Sequence, residues 1–247
     1  MNVLFVVLRR NNLLVFRFIK VCYFYIFFKD KKMDNANINV IQAIKNRRAI
    51  NFFNPNRDVP IEKINELIGM ANLTPSSMNL QPWEVVVVKD KDRKNILRGC
   101  AFDQPKVVEA SVDLIIIANP AGLEENIEKL IDSWLTLGYI QAAGVESTKG
   151  NAFGLYGEKD SLARKMFAVK NTSFFAMTLM IAAQGMGLET HPMDGFDEGM
   201  IKKEFNIPED KIIPLIIAVG YKKSDIELLP RAFRRDVKDF VKNERYS

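Results

Sequence analysis

Hydrophobic and polar positions alternate along this chain in two periods, and the period changes at punctuating residues. Val40, Ile41 and Ile44 recur at helical spacing before Arg47 and Arg48. Asp58 and Pro60 mark a second helix start, with Pro near the first helical position. Ile61, Ile64, Leu67, Ile68 and Ala71 then form an apolar stripe. A polar loop, Pro75 to Trp83, leads into a valine-rich strand, Trp83 to Lys89. Asp90 to Leu97 reads as a short charged helix. Val112 to Ala118 is a near-continuous apolar run, the pattern of a strand covered on both faces. Asn126 to Tyr139 reads as a long helix carrying Ile127, Leu130, Ile131, Trp134 and Leu135. Gln141 to Glu158, rich in Gly and polar residues, reads as a mobile loop or lid.

The longest helical pattern is Ser161 to Gly185. It is apolar around much of its circumference (Phe167, Phe174, Phe175, Met177, Leu179, Met180, Ile181), which fits a central helix, a subunit interface or packing within one subunit. Gly185 and Gly187 end it. They follow a helix and lack a third glycine, so they do not make a dinucleotide-binding turn. Leu188 to Met193 is extended, Glu198 to Phe205 a short helix, and Ile212 to Val219 a buried strand whose Pro214 signals an edge or an irregular start. Strands and helices interleave without a repeat or a linker. The expected architecture is one α+β domain over residues 33–247, a central sheet flanked by helices.

Composition changes the picture in two places. The net charge of +5 invites a nucleic-acid reading, but residues 1–32 hold seven cations against Asp30 alone. That local +6 leaves the rest of the chain at −1, without a basic footprint for DNA or RNA. In the same segment Leu13 to Phe28 is apolar, yet Arg17 and Lys20 interrupt it. Each would cost about 2.5–3.5 kcal/mol at the centre of a spanning helix. The residues before Lys29 and Asp30 do not resemble a signal-peptidase site. Residues 1–32 are therefore expected to be a non-native or disordered extension, with Met33 as the true start and a membrane-surface anchor as the lesser alternative. Two cysteines and one histidine, His191, exclude a disulfide framework and most zinc sites. The composition also counts against Cys-His or Ser-His catalysis unless His191 is the base; otherwise His191 reads as a structural residue at a strand end. Low cysteine use fits a reducing, cytoplasmic compartment.

The loop Pro75-Ser76-Ser77-Met78-Asn79-Leu80-Gln81-Pro82-Trp83 carries the chemistry. Prolines fix its backbone near both ends, and two hydroxyls and two amides lie between them. It suits a flat, polar-edged ligand, or it is an ordinary helix-to-strand connection. Pro-Ser-Ser-x-Asn-x-Gln-Pro-Trp resembles the central motif of the nitroreductase family of FMN-dependent oxidoreductases. Arg47-Arg48-Ala49-Ile50-Asn51-Phe52 resembles that family's N-terminal motif. Phe102 to Lys106, Pro192-Met193-Asp194-Gly195-Phe196, Val219-Gly220-Tyr221 and the basic cluster Arg231, Arg234, Arg235 follow in the family's order. The likeness runs from about Asn39 to Val241.

The resemblance implies a mixed sheet flanked by helices, an intertwined homodimer and two FMN sites at its interface. It implies hydride transfer from NADH or NADPH through flavin N5 to nitroaromatics, quinones or similar small acceptors, by a ping-pong scheme. An FMN-sequestering or sensing protein with little turnover is the alternative. Arg47, with Arg48 behind it, and one or two of Arg231, Arg234 and Arg235 would take the phosphate, unless the late cluster is merely solvated surface. Lys106 would face the pyrimidine edge, where it stabilises the reduced anion. Asp103 stands where many members carry Asn; it would accept from flavin N3–H, or pair with Lys106. Backbone at Asp194-Gly195 would approach N5, with Pro192 and Met193 leading into it. Ser76, Ser77 and Asn79 would line the flavin edge and the substrate space, flanked by Pro75 and Gln81. Ala49 stands where the family often has Ser, and Asn51 belongs to the same N-terminal motif. Trp134, Phe153 and Tyr156 are candidate walls of the stacking space, at least two of them expected in the core. No residue need act as a catalytic acid or base, and no metal is expected.

Overall fold

The computed structural model describes residues 39–246. The expected start at Met33 and the extension before it lie outside the described residues. Among the described residues eight α-helices and four strands follow in order: α1 (Val40–Asn46), α2 (Ile61–Ala71), β1 (Trp83–Val88), α3 (Lys91–Cys100), α4 (Pro105–Glu109), β2 (Val112–Ala118), α5 (Gly122–Leu137), α6 (Val145–Tyr156), α7 (Leu162–Gly185), β3 (Glu189–Met193), α8 (Glu198–Phe205) and β4 (Ile212–Gly220). Four of the starts are capped by a side chain. Asn39, Asp90, Ser161 and Asp197 each accept a hydrogen bond from a backbone N–H of the first turn they precede.

The four strands form one sheet in the order β1-β2-β4-β3. Every strand pair is antiparallel. The expected mixed sheet is thus corrected for the described strands; parallel pairing is confined to an isolated bridge between Ala49 and Thr190. Side-chain alternation builds a layer on each face. Ile115 and Ile117 of β2, with Ile216 and Ala218 of β4, join a core that includes Leu97, Val107 and Ile201. Val112, Leu114 and Ile116, with Ile217 and Val219, join Ile64, Leu67, Phe175 and Leu179 on the other face. This two-sided covering explains why β2 is buried along its whole length. A third cluster at one end of the sheet joins Leu80, Ile127, Ile131, Tyr156 and Phe167.

Three expectations change here. Gln141 to Glu158 is mostly helix: α6 occupies Val145–Tyr156 and buries Ala152 and Tyr156. Its low amphipathicity hid it, because only two of its side chains are fully buried. Pro214 lies in a central strand, not an edge strand, but in its irregular start. β3 pairs only from Ile216 onward, and the β2 register shifts between Ile116 and Ala118. Proline is tolerated there because no regular ladder needs its missing N–H. His191 sits in the middle of β3, not at its end.

The central helix α7 is long and apolar enough by length and composition to cross a membrane, but 50% of its most apolar window is buried inside this fold. One flank packs Phe167, Phe175, Leu179 and Met180 into the cores. The other leaves Met166, Phe174 and Met177 exposed.

Candidate functional site

The Pro75–Trp83 loop is held from beneath by polar side chains of two helices. Asn171, buried in α7, accepts from the Ser77 N–H at 3.0 Å. Thr172 donates to the Pro82 carbonyl at 3.0 Å, and Asn126 of α5 donates to the Leu80 carbonyl at 2.9 Å. Within the loop, Ser76 Oγ accepts from the Gln81 N–H at 2.9 Å. The Gln81 amide donates to the carbonyl and the side-chain oxygen of Asn79. Trp83 stacks on Phe175 with ring centroids 5.2 Å apart, and its indole N–H reaches Asn72. Gly122 presses on this frame: a Cβ there would meet Pro82 at 3.0 Å.

These ties hold the loop in an unusual shape. Met78, Asn79 and Gln81 all have left-handed backbone, φ 52°, 55° and 48°. Such positions cost of order 1–3 kcal/mol each for ordinary residues and persist where the surroundings over-determine them, commonly at ligand sites. Ser76, Ser77 and Gln81 are half-buried and Asn79 is exposed, as a polar rim requires.

A second group gathers at the C-terminal end of α1. Arg47 caps that helix. Arg231, from the end of the chain, donates to the carbonyls of Lys45 and Arg47, the latter at 3.0 Å. Arg48 donates to the Leu229 carbonyl at 3.0 Å. Burial lowers the Arg47 titration below its ordinary value; Arg231, Arg234 and Arg48 push it the same way, against Glu189. The two ends of the described residues therefore converge, and Arg47, Arg48, Arg231 and Arg234 share one electropositive place. Arg235 turns elsewhere, 5.1 Å from the Phe240 ring centroid. Arg234 also donates to the adjacent Phe233 carbonyl.

The third group lies where the α3–α4 turn meets the end of β3. Phe102 and Asp103 are both left-handed, φ 51° and 56°. Gln104 donates to the Gly195 carbonyl at 2.8 Å and ties this turn to the Asp194-Gly195 segment. A Cβ at Gly195 would approach the Gln104 amide to 3.3 Å, so the small residue permits the contact. Asp194 and Gly195 are exposed. Asp103 does not pair with Lys106. Its carboxylate lies 3.5 Å from Arg98, because the left-handed turn carries it back toward α3. Lys106 instead places Nζ 3.1 Å from Nε2 of His191. Burial lowers the titration of Lys106. Burial first, and the Lys106 charge second, push the imidazole down to about 4, against the Ile50 carbonyl.

The segment Ala49–Phe53 links these groups. The Ile50 N–H donates to the Thr190 carbonyl at 3.1 Å, and the Ile50 carbonyl lies 3.0 Å from His191 Nδ1. Ala49 and Asn51 on it are exposed. Beside Pro192 and Asp194 a cavity of about 470 Å³ opens against α7, lined also by Ser173, Met177 and Met180. Of the three candidate walls, Tyr156 is buried against Phe167 and Trp134 packs on the same core, whereas Phe153 is exposed. Sequence reasoning missed Asn171, Thr172, Asn126 and Gln104. The first two were signalled by polar residues in the middle of an apolar helix. Gln104 lies inside the Phe102–Lys106 motif, which marks its place but not its contact with Gly195.

The assembled chemistry offers guanidinium donors for an anion, an ammonium without a carboxylate partner, and two polar backbone turns able to meet the edge of a planar group. No group of three or more metal-ligating side chains occurs among the described residues.

Residues 44–221 match the profile of the Nitroreductase family. A Bacillus subtilis protein named "Putative NAD(P)H nitroreductase YodC" is 30% identical over 182 residues, 74% of this chain and 89% of its own. The crystal structure of the B. subtilis protein ydfN, titled a "putative nitroreductase", superposes with a TM-score of 0.77 at 27% identity, covering 82% of this chain and 97% of that one. A "putative nitroreductase in complex with FMN" from Exiguobacterium sibiricum superposes with a TM-score of 0.75 at 21% identity, covering 84% and 98%.

Proposed function

This chain belongs to the nitroreductase family, and from that premise we propose that it is an FMN-dependent NAD(P)H oxidoreductase acting on nitroaromatics, quinones or similar small acceptors. The observation that carries the reading is the convergence of Arg47, Arg48, Arg231 and Arg234 from opposite ends of the described residues. Like charges brought together at a half-buried place call for an anion. A flavin phosphate, a dianion at neutral pH, suits guanidinium forks. The donor set also fits the rest of FMN. Lys106 supplies a positive charge for the pyrimidine edge. The Asp194-Gly195 backbone supplies a close main-chain approach near N5. The loop at Ser76, Ser77, Asn79 and Gln81 supplies polar atoms to the ring edge, with Pro75 and Pro192-Met193 shaping the flanks.

When bound, FMN supplies two-electron chemistry between a nicotinamide and an acceptor that occupy one face in turn. The protein's part is electrostatic and positional. Lys106 favours negative charge at the pyrimidine edge. The strained loop turns are held by the protein's own ties to Asn171, Thr172 and Asn126, which limits the reorganisation their donors need. Ala49 and Asn51 contribute backbone from the segment beside β3. Asp103, drawn to Arg98, is not held for flavin N3–H in this arrangement.

The reading includes a homodimer and a cytoplasmic setting supplied with reduced nicotinamide. Exposed Phe174 and Met177 on α7 and exposed Leu229, Phe233 and Val237 on the C-terminal arm support a second copy as partner.

The test is the absorption spectrum of the purified protein, before and after anaerobic NADH or NADPH. Flavin bands that bleach with reductant and return with menadione are expected. Flavin bands indifferent to both nicotinamides would favour a sequestering or sensing protein. A colourless protein that cannot be reconstituted with FMN would overturn the cofactor itself.

A further inference from the structure

The chain's only histidine lies against the one lysine that the FMN reading places at the pyrimidine edge, and the partners of its ring fix its protonation. An ammonium only donates hydrogen bonds. The 3.1 Å contact with Lys106 therefore requires His191 Nε2 to be the unprotonated acceptor. The ring proton is then on Nδ1, 3.0 Å from the Ile50 carbonyl, which can only accept. Both contacts are satisfied by one neutral tautomer and by no other state of the ring. The imidazole is held on the middle of β3, a strand paired to β4 at His191↔Ala218. The carbonyl that orients it belongs to a segment that is itself hydrogen-bonded to β3 through Ile50.

We propose that His191 is a positioning residue for Lys106: its neutral imidazole, braced by the Ile50 carbonyl, fixes the Lys106 ammonium toward the pyrimidine edge of the bound flavin. The inference rests on the FMN reading above. A lysine head on a four-carbon stem is otherwise mobile, and ordering it carries an entropic cost. A carboxylate partner would order it too, but would cancel much of the charge that the reduced flavin needs. A neutral acceptor orders the ammonium and leaves its charge whole. Among the described residues Lys106 forms no ion pair with a carboxylate, so its charge is uncompensated at this place. Of the two carboxylates three residues away, Asp103 is occupied with Arg98 and Glu109 with Lys223. The imidazole cannot give Nε2 to Lys106 once protonated, and the same ammonium resists that protonation. The contact thus protects itself.

Two measurements on the full-length protein test this. The first needs no flavin. With a single histidine, the imidazole nitrogen resonances are unambiguous. The expected result is the Nδ1–H tautomer, an acid-shifted titration, and an upward move of that titration in Lys106→Met. A ring in tautomeric exchange that titrates normally and ignores K106M would overturn the contact and the proposal. The second is the midpoint potential of the bound flavin in wild type, His191→Leu and His191→Gln. H191L is expected to weaken stabilisation of reduced over oxidised flavin roughly tenfold, about 30 mV lower for a two-electron couple. H191Q, which keeps an acceptor for the ammonium, is expected to recover most of it, and to serve if H191L does not fold. Flavin-loaded variants with unchanged potentials would overturn the proposal alone. A wild-type protein that takes up no FMN would overturn the functional reading and the proposal with it.

Discussion

At the scale of single residues, the site is a set of charges whose compensation is incomplete, and that makes their roles separable. Arg47 is half-buried among other guanidiniums, whereas Arg235 lies over Phe240. A charge-assisted hydrogen bond contributes about 1.5–3 kcal/mol. Arg47→Ala should therefore weaken FMN binding by roughly ten- to a hundredfold, while Arg235→Ala leaves it within about twofold. Titration of FMN fluorescence against each variant checks both, and equal losses would refute the sorting of the late cluster. His191 makes a second residue-scale prediction. Its folded titration, at about 4, lies below the ordinary 6.5. The unfolded chain thus binds the proton first on acidification, so stability is full above 6.5 and is lost as pH falls toward 4. The charges bearing on the ring are the Lys106 ammonium and the Ile50 carbonyl dipole. Fully expressed, the gap corresponds to roughly 3 kcal/mol. Solvent at this half-exposed ring reduces it to about 1–2 kcal/mol. Urea denaturation of wild type and H191Q between pH 7 and 4.5 should show that difference shrinking as pH falls; parallel curves would count against the pairing.

At the scale of elements, the loop owes its shape to the helices under it. Asn171→Leu strips the Ser77 N–H of its acceptor at a buried position. Gly122→Ala drives a Cβ into the Pro82 backbone. Each should lower unfolding free energy by about 1–3 kcal/mol, and each should raise the FMN dissociation constant, because strained turns at Met78, Asn79 and Gln81 relax once their ties are cut. A variant that loses stability yet binds FMN normally would show the loop to be independent of its supports. What was legible in the sequence divides along the same line. β2 could be read residue for residue, since a strand covered on both faces is an unbroken apolar run. α2 announced itself by its apolar stripe, and α7 by its length and its apolar character around much of its circumference. The loop, the arginines and Lys106 were legible only as a motif. α6 was not legible, because a helix with two buried side chains leaves almost no periodic trace. Nor were the partners of Lys106 and Asp103: left-handed backbone at two consecutive non-glycine residues decides which way each side chain faces, and no spacing rule encodes it. The antiparallel sheet likewise depends on which strand meets which across long connections, which local pattern does not carry.

At the scale of the whole molecule, the body and its C-terminal arm are built on different terms. The cores close with residues up to Val219 and draw on Tyr221; nothing from the arm enters them. Past Tyr221 the backbone is mostly irregular, and Leu229, Phe233, Val237 and Tyr246 stand exposed, at 82%, 81%, 67% and 93%. Such a series of apolar side chains on an arm that contributes nothing to its own core is costly in water unless a surface covers it. The unpaired flank of α7 at Phe174 and Met177 is a surface of matching character. Yet the arm also returns Arg231 to the carbonyls at the end of α1 and receives Arg48 at Leu229. Phosphate binding and subunit contact would then depend on one segment. A chain ending at Glu227 should keep its sheet and helices, seen as an unchanged far-ultraviolet spectrum and a cooperative thermal transition. It should fall from dimer to monomer by light scattering and lose FMN affinity by more than the Arg231→Ala single variant does. If the truncated chain stays dimeric, the interface lies in the body alone; if it keeps its FMN affinity as well, the arm contributes nothing to the site and the convergence at Arg47 is structural.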